Sequence, residues 1–187
     1  MSRSDTVAVV IIVRNGHAER TVPWNHEEWL RPLSNHGQVQ ASALVHALAY
    51  DDVGDLWSSA SQRCRATLGP LAAQRGLQVT EHRLLDRDAS SDKLLASILA
   101  HAGEPWVLCT HGAVITGLLR LGHATGLLVA PAIVTEHGAA WRVAGLHTGS
   151  ITMEYVPSPL SVLSPLKKAH TEHDGQTPGV TRPRMRG

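Results

Sequence analysis

Hydrophobic residues run without a break from Val7 to Val13, and polar residues then crowd into Arg14-Asn15-Gly16-His17-Ala18-Glu19. A continuous Val/Ile/Ala run of this length suits a strand covered on both faces, as in a parallel sheet. From Arg20 to Leu33 the chain is polar and holds Trp and Pro, which reads as an excursion over the surface. Ser34 is placed to cap the next helix. Ala41, Leu44, Val45 and Leu48 then fall on one helical face, predicting a helix over Gln38–Tyr50.

The alternation continues down the chain. Asp55–Ser58 is a short second strand. Ser61–Arg75 is a helix with Cys64, Leu68, Leu71 and Ala72 inward, and Gly76 stops it at the position that favours a left-handed cap. Leu77–Thr80 is a third strand, Ser91–Ala102 a third helix, and Trp106–Cys109 a fourth strand. Thr110-His111-Gly112 leads into a fourth helix reaching about Leu121. Ile133–Glu136, Ala140–Ala144 and Ser150–Val156 read as late strands with Gly-containing turns between them. Strands alternating with helices of ten to fifteen residues mean crossover units and a mostly parallel sheet, an α/β fold.

Composition narrows this picture without redirecting it. The chain has 187 residues, 43% hydrophobic and 18% charged, as expected for one globular domain. There is no Phe, so aromatic packing rests on five Trp, at positions 24, 29, 57, 106 and 141. From Pro157 onward five basic residues (Lys167, Lys168, Arg182, Arg184, Arg186) meet two acidic ones (Glu172, Asp174), with Pro and little apolar periodicity. The expected organisation is a domain over 1–156 and a flexible basic tail over 157–187. The tail reads as a solvated end, so nucleic acid is not an expected partner. Cys64 and Cys109 sit in apolar surroundings, far apart in sequence, as small core residues of a reduced compartment. No signal-peptide pattern or membrane-length apolar run is present, so a cytoplasmic location without a membrane partner is expected. The twelve histidines are scattered and form no HExxH or tight Cys/His set, so neither a metal nor a cofactor is expected.

In α/β sheets function gathers at the carboxyl ends of the strands. Three such ends carry chemistry here. The first ends in Arg14-Asn15-Gly16-His17. The second ends in Ser58-Ser59, with Arg63 opening the following helix. The fourth ends in Thr110-His111-Gly112. If these strands are neighbours, two arginines and one or two histidines share a pocket with helix N-termini, which is an oxyanion site. A nucleotide-binding module is a weaker reading, because Asn15-Gly16-His17-Ala18 is too poor in glycine for a phosphate loop.

Four stretches in order carry a family resemblance. They are Val13-Arg14-Asn15-Gly16-His17-Ala18-Glu19, the run from Arg31-Pro32-Leu33-Ser34 through Gly37 and Gln40-Ala41 to Leu44, the run from Ser58-Ser59 through Arg63-Cys64 to Thr67-Leu68, and Val107-Leu108-Cys109-Thr110-His111-Gly112. Together they resemble the histidine phosphatase superfamily. The pattern is most similar to the small phosphohistidine phosphatases and to phosphatase-like domains attached to some Nudix hydrolases. The resemblance spans about Val7–Val156. It implies a phosphoglycerate-mutase-like, three-layer α/β/α sandwich. It also implies phosphate binding by Arg14, Arg63, His111 and Gly16, and a phosphomonoester or phosphohistidine hydrolase. Asp86 stands near the family's acid position, with Asp88 second, either as proton donor or as a loop or capping residue.

By the same resemblance, Asn15 occupies the place of the nucleophilic histidine. An amide nitrogen has its lone pair delocalised into the carbonyl, so it does not attack phosphorus as an imidazole does. Three readings follow. The chain binds phosphate without turnover, as a sensing or partner-binding module. Or another group, His17, His111 or Asp86, supports hydrolysis, including by direct activation of water. Or the fold now runs other chemistry. His17 falls on a variable family position and reads as a rim residue. Trp24 and Arg31 are candidate substrate contacts, Trp24 by stacking and Arg31 on a second phosphate. The expected partner is a phosphorylated small molecule or a phosphoprotein.

Overall fold

The computed structural model describes residues 9–20, 26–101, 103–126, 128–129, 135–145 and 151–159. The expectations for Trp24, for Val7 and Ala8, for Ile133 and Val134, and for the tail from residue 160 lie outside the described residues.

Seven strands form one sheet: β1 Val10–Arg14, β2 Asp55–Ser58, β3 Val79–Glu81, β4 Trp106–Thr110, β5 Leu128–Val129, β6 Ala140–Ala144 and β7 Ile151–Val156, in the order β3-β2-β4-β1-β6-β7-β5. Four pairings are parallel, including β2–β4 and β1–β4, while β6 runs antiparallel to both β1 and β7. The helices are α1 Asn35–Ala47, α2 Gln62–Arg75, α3 Ser91–Ala100 and α4 Gly112–Ala124.

The unbroken apolar run at the start has a direct structural reason. Successive side chains of a strand point to opposite faces. Val10 and Ile12 join a core with Leu94, Ile98, Val114 and Leu118, from α3 and α4. Ile11 and Val13 join a separate core with Leu44, Leu48, Cys64 and Leu68, from α1 and α2. Val10, Ile11, Ile12 and Val13 are all fully buried. The result is a three-layer α/β/α sandwich with a mostly parallel sheet, as the alternation of elements implies.

Several expectations shift in detail. Helix α1 starts three residues earlier than the apolar stripe suggests, because the Ser34 hydroxyl accepts the Gly37 N–H and caps it. Val45 is only partly buried, whereas Ala41, Leu44 and Leu48 are buried as expected. Helix α4 runs to Ala124, and β5 follows it. Thr135 and Glu136 are not in a strand. Trp106 and Trp141 pack in the core, Trp57 stacks on Trp106, and Trp29 is exposed. Ser158 is fully buried, so packing continues two residues past β7. Gly76 closes α2 at φ +67°, in the left-handed region expected.

Two arginines hold the segment that follows α1. Arg75, in the last turn of α2, donates to the carbonyls of Leu48, Ala49 and Asp51 beyond the end of α1. Arg142 on β6 grips Asp51 with two bonds, at 2.8 and 2.9 Å. Among the described residues no helix is long and apolar enough to cross a membrane.

Candidate functional site

Strand register explains how the site is assembled. Arg14 pairs with Thr110, and Ser58 with Cys109, so the carboxyl ends of β1, β4 and β2 lie side by side. Antiparallel β6 brings its opposite end to the same place, with Ala140 beside Val13. The turn before β6 therefore delivers His137. A cavity of about 330 Å³ opens here, lined by Arg14, Asn15, His17, Arg31, Arg63, His111 and His137 among others, and by Gly112 and Ala113 at the start of α4.

Each basic group is held in a defined way. Arg14 Nη1 donates to the Thr135 carbonyl, Nη2 lies 2.9 Å from His137 Nε2, and Nε is buried without a partner. Its guanidinium rests on Gly112, where an added Cβ would come within 2.9 Å of Nε. Arg63 is 5% exposed and donates from Nη1 to the Glu28 carbonyl at 2.8 Å. Burial draws both guanidinium groups below their ordinary value; Cys64 and Glu28 oppose this at Arg63. Both stay cationic, since guanidinium is not deprotonated in proteins.

His111 precedes α4 and is buried. Its Nε2 lies 3.1 Å from Ser59 Oγ, whose own proton goes to Asp86 Oδ1 at 2.8 Å. His111 Nε2 is therefore the protonated nitrogen, and Nδ1 faces Arg63 Nη2 at 3.5 Å. Asp86 also accepts the Ala60 N–H at 3.1 Å. It lines a neighbouring hollow with Glu28, Ser61, Arg63, Arg87 and Asp88, rather than the main cavity. There it acts on the β2–α2 loop and, through Ser59, on the orientation of His111.

Asn15 is buried in the cavity wall, and its Nδ2 donates to the Gly16 carbonyl at 2.9 Å. The Gly16 N–H is engaged by Thr67 Oγ1 at 2.9 Å, and Gly16 is not part of the cavity lining. His17 bonds Ser34 Oγ through Nδ1 at 2.8 Å and stays at the rim. The start of α2 contributes only the Arg63 side chain to the main cavity; its N-cap, Ser61, faces the neighbouring hollow.

Two cavity residues escaped the sequence reading. His137 donates from Nδ1 to the Asn15 carbonyl at 3.1 Å, so its Nε2 carries the lone pair and accepts from Arg14. Glu28 sits in the surface excursion and pairs with three arginines: Arg31 at 2.7 Å, Arg63 at 3.3 Å and Arg87 at 3.6 Å. Beneath the site the Cys64 thiol is held down to about 6, first by its hydrogen bond with Cys109 and then by His111 and Arg63, against its burial. Cys109 is pushed up by burial and by Cys64. Among the described residues no group of three or more His, Cys, Asp or Glu side chains is placed to hold a metal ion.

Arg14, Asn15, Arg63 and Asp86 all lie within residues 10–91. Residues 10–91 match the model of the histidine phosphatase superfamily (branch 1). Over that stretch the chain is similar to the histidine phosphatase superfamily. It is 33% identical over 117 residues to the 8-oxo-(d)GTP phosphatase of Mycolicibacterium smegmatis, a match covering 59% of this chain and 36% of that protein. The chain thus spans about a third of the length of that curated relative. The fold of the superfamily recurs in the protein histidine phosphatase SixA solved with tungstate, with TM-score 0.65, 18% identity and coverage of 82% of this chain and 99% of that one. A mycobacterial glucosyl-3-phosphoglycerate phosphatase solved with inorganic phosphate gives TM-score 0.55, 17% identity and coverage of 80% and 96%.

Histidine protonation supplies a pH-dependent property of this site. Burial lowers His137, and Arg14 lowers it further; burial and Arg20 lower His17. Both rings take up a proton more readily in the unfolded chain, whose histidines titrate near 6.5. Their contribution to stability is present above about pH 6.5 and is lost as pH falls through that value toward the folded pKa. Denaturation at pH 7.5 and 5.5 should show a loss on acidification that is shallower in His17→Gln/His137→Gln. An identical loss in both proteins would remove these two rings from the account.

Proposed function

We propose that this chain binds a phosphomonoester, on a small molecule or a protein, at the cavity of Arg14, Arg63 and His111, and that Asn15 denies it the covalent route to rapid hydrolysis. The observation that carries this reading is the convergence of the two guanidinium groups and the start of α4 on one cavity. Arginine forks match phosphate oxygens, and the N–H groups and dipole at a helix start favour an anion. The phosphatase names of the relatives, and the tungstate and phosphate in two of them, support the same ligand chemistry. In this reading Asp86 is a positioning residue, because its carboxylate is engaged by Ser59 and Ala60 outside the cavity. His137 has both ring nitrogens engaged, by the Asn15 carbonyl and by Arg14, so in this reading it positions the Arg14 guanidinium.

Ligand binding to the native state raises thermal stability. Orthophosphate and vanadate should each raise the melting temperature, and calorimetry should return a single site. Arg63→Ala should weaken orthophosphate by about 10- to 100-fold, the range for one charge-assisted contact. The melting temperature without ligand checks that the variant is folded. No stabilisation of the unaltered chain, or an equal gain in folded Arg63→Ala, would overturn the assignment.

A further inference from the structure

At the mouth of the cavity one carboxylate serves three guanidinium groups. Glu28 lies on a three-residue 3₁₀ turn, Glu28–Leu30, with its side chain 45% exposed. Its Oε2 takes Arg31 Nε at 2.9 Å and Nη2 at 2.7 Å, while Oε1 faces Arg63 at 3.3 Å and Arg87 at 3.6 Å. Three guanidinium groups thus share one carboxylate at the mouth.

Arg63 belongs to both groups. Its Nη2 faces His111 in the cavity, and its Nη1 faces Glu28 at the mouth. The two anion positions are thus the two sides of one guanidinium. One guanidinium facing both positions suits two phosphoryl groups that are joined directly to one another. Glu28, Arg63 and Arg87 also line the neighbouring hollow of about 450 Å³, so the remainder of a ligand has a place to lie.

We infer that the arginines around Glu28 form a subsite for a second phosphoryl group, so that the site takes a diphosphate, with Glu28 holding the subsite when it is empty. The inference rests on the phosphate site proposed above. On binding, the second phosphoryl replaces the carboxylate, whose half-exposed side chain turns into solvent. Arg31 and Arg87 exchange a carboxylate for a phosphoryl group with more charge and more acceptor oxygens. Glu28 then tunes preference by competing with the ligand for the same donors.

The test is calorimetry on the full chain with orthophosphate and with methylenediphosphonate, whose P–C–P bridge resists hydrolysis. The diphosphonate should bind about tenfold more tightly than orthophosphate, an exposed charge-assisted pair being discounted for screening. Arg87→Gln, at a side chain 66% exposed, should remove most of that ratio and leave orthophosphate within about twofold. Glu28→Gln keeps the backbone carbonyl that holds Arg63 and should widen the ratio. Arg65→Gln makes the same charge change at a residue paired instead with Glu81, and should leave the ratio alone. Orthophosphate binding with a ratio near one, or a ratio equally altered by Arg65→Gln and Arg87→Gln, would overturn the subsite alone. Failure of orthophosphate to bind would overturn the underlying phosphate site.

Discussion

Asn15→His is expected to raise phosphomonoester turnover by at least about a thousandfold over the chain as it stands. Losing a nucleophile costs on the order of a million-fold in the subtilisin case, and part of that range should return with the ring. The substitution places at position 15 a ring nitrogen able to attack phosphorus, which the Asn15 amide is not. In the first step that nitrogen attacks phosphorus and the ester P–O bond breaks. In the second, a water oxygen attacks phosphorus, the phosphorus–nitrogen bond breaks with its electron pair returning to the ring, and phosphate leaves. p-Nitrophenyl phosphate is the appropriate substrate, since its phenolate leaves without a proton and the assay isolates the nucleophile. Acid-labile phosphate on Asn15→His, absent from the unaltered chain, would identify the intermediate. Turnover within tenfold in the two proteins would place Asn15 outside the mechanism.

The sequence made much of this legible because fold and site use its strongest local signals. The run from Val10 to Val13 is apolar on both faces because helices cover both faces, and that leaves no ambiguity of period. Arg14, Arg63 and His111 each sit one step from a strand end or a helix start, where pattern reading locates them. His137 was not legible for a topological reason. It precedes an antiparallel strand, so the amino end of β6, rather than its carboxyl end, meets the site. The cue present was a His-Gly turn immediately before an apolar run. Glu28 was hidden because its role depends on where a surface excursion folds back, which periodicity does not report. Asp86 illustrates the converse. Its position in sequence suits an acid, yet its partners, Ser59 and Ala60, become visible only when β2 and the 3₁₀ turn Arg83–Leu85 are in place.

Gly37→Ala is expected to cost about 3 kcal/mol, at the upper end for overpacking, and to weaken phosphate binding with it. A Cβ on Gly37 would lie 2.1 Å from the His17 carbonyl oxygen, a backbone atom that no rotamer change can clear. A Cβ on Gly16 would in turn meet the Gly37 carbonyl at 2.9 Å. The first turn of α1 therefore rests directly on the backbone that follows Asn15. Ser34 donates to the His17 carbonyl from its N–H at 3.0 Å and from its hydroxyl at 3.2 Å. Gln40 accepts the His17 N–H at 2.8 Å and donates to the His137 carbonyl at 2.7 Å, linking both walls of the cavity to α1. Relieving the clash requires α1 to withdraw, and these bonds lengthen together. For a chain of this size the loss corresponds to roughly 6–12 °C in melting temperature. Gly69→Ala is the matching control. Gly69 lies within α2 with nothing but its chain neighbours and its own helix backbone inside 4 Å of its added Cβ; its following Pro70 offsets the helix-propensity gain of alanine, so that change should stay within about 1 kcal/mol of neutral. A large loss at Gly37 beside a small change at Gly69 would establish that Gly37 is fixed by close approach rather than by helix propensity. A Gly37→Ala protein that melts within a degree of the unaltered chain and binds phosphate equally well would show that α1 does not set the Asn15–His17 backbone.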